Sequence, residues 1–455
     1  MKNHLRFSLP LLLATVIFTS CDKKEHYHLL LENTRIVDVE SGTISDRMLV
    51  GVTGDSIRTV LPMSERNSVE ADTVINANGN YLMPGLWDMH VHFRGGDTLI
   101  EENKEFLKMF LDHGVTTVRD AGGDMTPSLL QWRNEIMNKT LAGPDIFTSG
   151  PKLDGEKPAW PGSLQVTSTA SLNSALDSLE KVGADYVKIY DGSLSDTMYY
   201  EIIKGAEKRG LKVTGHMPMD ADLNKAISAG LDGIEHLYYL LASTSSAGDS
   251  IRALQQGYRS LPLLLDTYDA QKTSKVFQQL IKGEFYVTPT LHITDVLTDL
   301  KYEDHRDDNF LSQIGDGIIK TYTRREMAAK GRDETAQAYT EKRRTIFKEM
   351  VQPLHEAGAI ILAGSDCGAF NSYVYPGISL QEELIALTEA GLSPADALIT
   401  SVIHGPKFFG LEKSYGKISK NKMAHMILLA EDPLKNIAAI RGIQLVIKGD
   451  QIYTP

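Results

Sequence analysis

Hydrophobic and polar positions follow two patterns along this chain. In the middle, short apolar runs alternate with stretches whose apolar residues recur at helical spacing. GLWDMHVHF, VTTVRDAGG, PDIFTSG, ADYVKIY, KVTGHM, GIEHL, FYVTPTLH and AIILAGSDC read as strands, with amphipathic stretches such as ASLNSALDSLEKVG and MYYEIIKGAEKRG between most of them. Strands alternating with helices in this way predict an α/β fold, a (β/α)8 TIM barrel over residues 85–404. Two long charged spacers, 240–283 and 293–356, predict helical insertions that either cap one end of the barrel or form a solvated face. Both chain ends follow the second pattern, short β runs with turns at Thr53-Gly54-Asp55, Asp432-Pro433 and Gly449-Asp450. They predict one small β-sandwich domain assembled from 29–84 and 405–455.

The first twenty residues read as a targeting segment. Lys2 and Arg6 give a basic start, and Phe7 to Phe18 is mostly apolar but short for a membrane span. Phe18-Thr19-Ser20-Cys21 resembles the lipobox of bacterial lipoproteins, with Phe at a position where Leu is usual. Residues 1–20 are therefore expected to be a signal peptide, Cys21 the lipidation site, and 21–28 a tether. The expected location is an exported protein lipid-anchored to a bacterial membrane, periplasmic or at the cell surface. Cys367 then has no disulfide partner, because the chain has only two cysteines.

Hydrophobic residues make up 42% and charged residues 23%, the balance of a globular protein. A net charge of -12, with no long basic run and no P-loop string, argues against a nucleic-acid surface. The expected partners are a small-molecule substrate, the membrane through the N-terminal lipid and, in a homo-oligomer, further copies of the chain.

Candidate chemistry lies at the ends of the predicted strands. His90 and His92 are two apart, so in an extended strand both project from one face while Val91 points away. Lys188, His216, His236 and Asp366 follow at the ends of later strands. On one barrel rim these six form a centre for two divalent metals, zinc by ligand type, able to make a hydroxide nucleophile near neutral pH. An ammonium cannot ligate. Burial of Lys188 in Tyr186-Val187-Lys188-Ile189-Tyr190 favours the neutral amine, which can add carbon dioxide and become a carbamate; the alternative is a buried lysine paired with a carboxylate.

These residues resemble the amidohydrolase superfamily, its binuclear branch with a carboxylated lysine. PGLWDMHVHF, GVTTVRDAGG, ADYVKIY, VTGHMP, GIEHL and LAGSDCG are similar to the imidazolonepropionase-related group that includes Xaa-Pro dipeptidases. The resemblance implies that His90, His92 and Asp366 hold a first metal, His216 and His236 a second, and carbamylated Lys188 bridges them. It also implies that Asp366 moves the proton from the nucleophile to the leaving amine. Many members carry a His in the loop after the third strand, but here 150–155 has none, which puts a substrate contact there in doubt. Tyr238 or Tyr239 can polarise the scissile carbonyl, or both can be loop packing. Arg119 and His292 are candidate substrate contacts, each with a structural alternative. The expected activity is hydrolysis of an amide-type C–N bond in a small carboxylate-bearing substrate, a dipeptide or an N-acyl amino acid. The alternatives are a cyclic-amide hydrolase or heterocycle deaminase, and a metal-binding surface lipoprotein without turnover. Mononuclear deaminases of the superfamily usually lack the strand-four lysine and place Glu three residues after the strand-five His, where this chain has Met219.

The anchor is directly testable. Cys21→Ala should shift the protein from the membrane to the soluble fraction. A variant that fractionates as wild type does would refute lipidation.

Overall fold

The computed structural model describes residues 24–455; the expected signal peptide over 1–20 and the expected lipidation site Cys21 lie outside the described residues. No helix among the described residues is long and apolar enough to cross a membrane.

All eight predicted central strands are present. Leu86–Val91, Val115–Asp120 and Asp145–Thr148 pair in parallel, as do Val187–Ile189 with Val213–Gly215, and Gly233–Glu235 with Tyr286–Thr288 and Ile360–Ile361. The predicted continuous closed barrel is not what the ladders form. Among the described residues the central strands lie in three separate parallel sheets. A few backbone bonds connect one sheet to the next: Asp185 N–H to Thr148 O (2.8 Å), Asp232 N–H to Val213 O (3.1 Å) and, between the last strand and the first, Met89 N–H to Ala363 O (2.9 Å), Asp366 N–H to His90 O (2.7 Å) and His92 N–H to Cys367 O (2.9 Å). The ladders are short because several strands leave extended geometry where their side chains must turn inward. His236 (φ 66°) and Asp366 (φ 57°) break away from the β region, and so does Gly215 (φ 145°) just before His216.

Both chain ends join one eight-stranded sheet, where a two-sheet sandwich was expected. The long strand Glu25–Asp38 causes this. Its first half pairs in parallel with Val69–Asn76 and its second half with Tyr81–Pro84, which in turn pairs with His425–Leu429. The period-2 pattern then divides the side chains. Met83, Ile427 and Leu429 pack into the main core, while Leu82, Met426 and Leu428 join a second apolar cluster with Leu29, Val50 and Ile57. The strand also corrects the tether. It begins at Glu25, and Tyr27 within it is buried, so residues 25–28 belong to the sheet.

The two charged spacers are helical, as predicted. The second contains Asp316–Lys330 and Glu334–Glu356. Their inward residues Leu261, Arg325 and Arg343 close over the strand ends and line a cavity of about 330 Å³.

At the opposite end of the first strand, Trp87 stacks on Phe147 (5.7 Å between centroids) and meets Tyr415 edge-on (5.1 Å), with 1% of its surface exposed. Trp87→Ala should cost about 3–5 kcal/mol of unfolding free energy, read by urea denaturation. A loss below about 1 kcal/mol would show that this cluster does not fix the first strand.

Candidate metal centre

The six predicted ligand residues converge. His90 Nε2 lies 3.6 Å and His92 Nε2 3.2 Å from Asp366 Oδ1, and His236 Nε2 is 3.8 Å from Asp366 Oδ2. The rings of His90 and His236 are 5.1 Å apart, and those of His216 and His236 5.0 Å. Lys188 is fully buried below them. Asp366 reaches this position through a left-handed residue conformation, as does His236. The neighbouring chain must also be thin. A Cβ on Gly364 would stand 2.7 Å from His90 Cβ.

Each imidazole is oriented by its other nitrogen. His90 Nδ1 bonds Glu235 Oε2 (2.7 Å), His92 Nδ1 bonds Gly122 O (3.0 Å), His216 Nδ1 bonds Asp191 Oδ1 (3.1 Å) and His236 Nδ1 bonds Thr290 Oγ1 (2.7 Å). A carbonyl or carboxylate partner makes Nδ1 the donor and leaves the Nε2 lone pair for a metal. Burial, with the Lys188 charge nearby, holds His90 and His216 well below the usual histidine range; His92 is also held well below it, by burial, Arg94 and Lys152. Burial likewise lowers the Lys188 amine to about 8. Imidazoles held neutral in this way are the form a divalent cation takes.

Within this group of six residues, His90 Nε2 and Lys188 Nζ are buried without a hydrogen-bond partner. An orphaned buried polar atom costs on the order of 1–3 kcal/mol, and these two, on the imidazole and amine of the same cluster, fit a bound cation with its ligands. His90, His92 and Asp366, whose ligand atoms lie within 4.8 Å of one another, can hold a metal ion.

Two predicted contacts require correction. Arg119 does not reach the rim. It is wholly buried, bonding Glu235 Oε1 and Oε2 at 2.8 and 3.0 Å, with its guanidinium 4.8 Å above the Phe408 ring. His292 turns away from the cavity. Burial, with Arg441 and Lys348 nearby, lowers its pKa to about 4, and its backbone N–H bonds Glu383 (2.7 Å). The tyrosines separate as well. Tyr238 and Tyr239 both line the cavity, but the Tyr239 hydroxyl is engaged by Tyr258 (2.7 Å) and Asp191 (3.4 Å).

The cavity walls include residues the sequence did not single out: Arg94, Trp160, Arg325 and Arg343. Arg94 sits two residues beyond His92, so the same alternation that found the histidines marks it. Arg325 and Arg343 come from inserted helices, whose inward face no local pattern specifies. Lys152, in the loop that lacks the expected His, is buried with Nζ 2.8 Å from Gly122 O, the carbonyl that orients His92.

The amidohydrolase family pattern matches residues 81–452. The chain belongs to the amidohydrolase family. Its members hydrolyse carbon–nitrogen bonds and depend on metal. Among relatives, this amidohydrolase is 26% identical over 240 residues to adenine deaminase 3 of Rhizobium meliloti, covering 51% of this chain but only 38% of that protein. It is 22% identical over 431 residues to ochratoxinase of Aspergillus niger, covering 82% of this chain and 75% of that one. A solved Xaa-Pro dipeptidase with bound methionine superposes with a TM-score of 0.65 at 18% identity, over 94% of this chain and 100% of its own, a likeness of fold.

Arg119 gives the test of this geometry. Arg119→Met removes one partner of a buried ion pair and should destabilise the protein by about 3–5 kcal/mol in urea unfolding. Unchanged stability with a raised KM would return Arg119 to the substrate.

Proposed function

We propose that this amidohydrolase cleaves an amide-type C–N bond of a small substrate with a free carboxylate, a dipeptide or an N-acyl amino acid. The observation that carries the reading is the set of four imidazoles tied down through Nδ1 and converging, with Asp366, over a buried partnerless Lys188. His90, His92 and Asp366 would hold one metal, zinc by preference, and His216 and His236 a second, with Lys188 bridging as its carbamate. When bound, such metals supply Lewis acidity and make water nucleophilic near neutral pH.

The chain's own residues do the rest. Asp366 accepts the proton of the attacking water and delivers it to the leaving nitrogen. Tyr238, whose ring is 6.3 Å from that of His236, donates its hydroxyl to the scissile carbonyl oxygen. Arg94 and Arg325, both within the field of Asp366, take the substrate carboxylate in the role first given to Arg119 and His292. Gly122 O, Asp191, Thr290 and Glu235 keep the rings from rotating. The central strands would close as a (β/α)8 barrel that carries the site, with the chain-end sheet as a supporting domain. Lipid anchorage at Cys21 would set the enzyme at an exported location.

A second reading, deamination of a heterocycle, draws on the adenine deaminase relatives. Two measurements separate the readings. Elemental analysis should give about two divalent metals per chain, falling by about one or more in Lys188→Ala, with activity partly restored by short carboxylic acids. Wild-type metal content in that variant would overturn the bridging role. A dipeptide should exceed its C-terminal amide by on the order of a hundredfold in kcat/KM. Equal turnover of the two, or ammonia release from purines alone, would overturn the substrate class.

A further inference from the structure

We propose that the cavity is built for a substrate with two separate negative charges, the second held by Arg343. This deepens the amide-hydrolase reading and rests on it for the position of the first carboxylate. The cavity contains a local charge inversion. The chain carries a net charge of -12, yet three guanidiniums face this space, and among the described residues Asp366, proposed above as a metal ligand, is the only acidic residue in its wall. Arg94 is 4% exposed, and its Nη2 has no hydrogen-bond partner; Arg343 Nε is likewise buried without one. Three guanidiniums facing one space have a single carboxylate in its wall among the described residues, so an entering anion is favoured there.

The three arginines form two groups. Arg94 and Arg325 act on each other and on Asp366, beside the reacting centre. Arg343 comes from the long helix Glu334–Glu356 and lies 5.4 Å above the Tyr238 ring, with the Arg332 guanidinium also feeling its charge. Stacking is not an alternative use of these side chains. Arg94 packs 4.1 Å over Trp160 and Arg343 over Tyr238, and a stacked guanidinium keeps its in-plane N–H groups for an acceptor. One carboxylate satisfies the inner pair and leaves Arg343 for another. The substrate class that fits is an acyl or peptidyl derivative of an acidic amino acid, with its side-chain carboxylate on Arg343.

The test measures binding and turnover separately. Metal-loaded full-length protein is titrated calorimetrically with succinate, glutarate and adipate, and with the monoamide of each. At least one dicarboxylate should bind about tenfold or more tightly than its monoamide, with the difference shrinking as ionic strength rises. Arg343→Gln should reduce the preference to about twofold or less, and Arg343→Lys should keep most of it. The wild-type comparison needs no variant, so misfolding of either cannot rescue the idea. Equal affinity for every diacid and its monoamide would overturn it, and a preference that persists in folded Arg343→Gln would overturn the role of Arg343. N-acetylglutamate and N-acetylglutamine are assayed alongside. Retained diacid preference with neither amide hydrolysed would sink the hydrolase reading and leave the second anion site standing.

Discussion

The buried Glu235 carboxylate is the constraint on which the site depends. It accepts from Arg119 on the second central strand, from Thr214 on the fifth (3.0 Å) and from His90 on the first, and it lies 3.8 Å from Lys188 on the fourth. Burial alone would raise its pKa, but Arg119 and Lys188 outweigh that and keep it ionised. A charge sealed in a core is tolerable only when fully paired, so these strands can meet in one arrangement. That arrangement sets the His90 tautomer and holds the Lys188 amine beside the ligands. Strand arrangement and the orientation of His90 thus depend on the same carboxylate.

Above this hub the strands end in conformations that ordinary side chains avoid. His236, Thr290 and Asp366 all have positive φ. Each such residue stores on the order of 1–3 kcal/mol, sustained only where the surroundings over-determine it. Here the determining contacts are visible. The His236 ring is fixed by Thr290, and the backbone of Asp366 is drawn to the first strand by its N–H to His90 O (2.7 Å). Short ladders are therefore the counterpart of inward-turned ligands.

What the sequence disclosed follows from the range of the interactions. Strand alternation is local, so His90 and His92, and the end of each central strand, could be read directly. Arg119 could not be placed, because every residue of Val115–Asp120 is buried and parity carries no sign of rim or core. His292 sits on a helical turn after its strand, where direction depends on the packing of Leu291–Asp299. The single chain-end sheet depends on Glu25–Asp38 pairing with residues distant in sequence, which no window of neighbours records. Tyr27 alone marks the start of that strand as buried, too little signal to separate it from a tether.

The hub and the rim also divide the labour chemically. Every residue that orients a ligand comes from a central strand or the turn just after it, so that part of the structure can vary little without losing the centre. Arg325, Arg343 and Tyr258 come from inserted helices and turns, and among the groups they meet at the strand ends are Asp191, Tyr239, Asp366 and Tyr238. On the proposed reading those segments carry the charge the substrate meets, and none of them supplies a partner to the buried Glu235. On the proposed reading, reaction type rests on buried electrostatics at the strand ends, while substrate choice rests on the inserted helices.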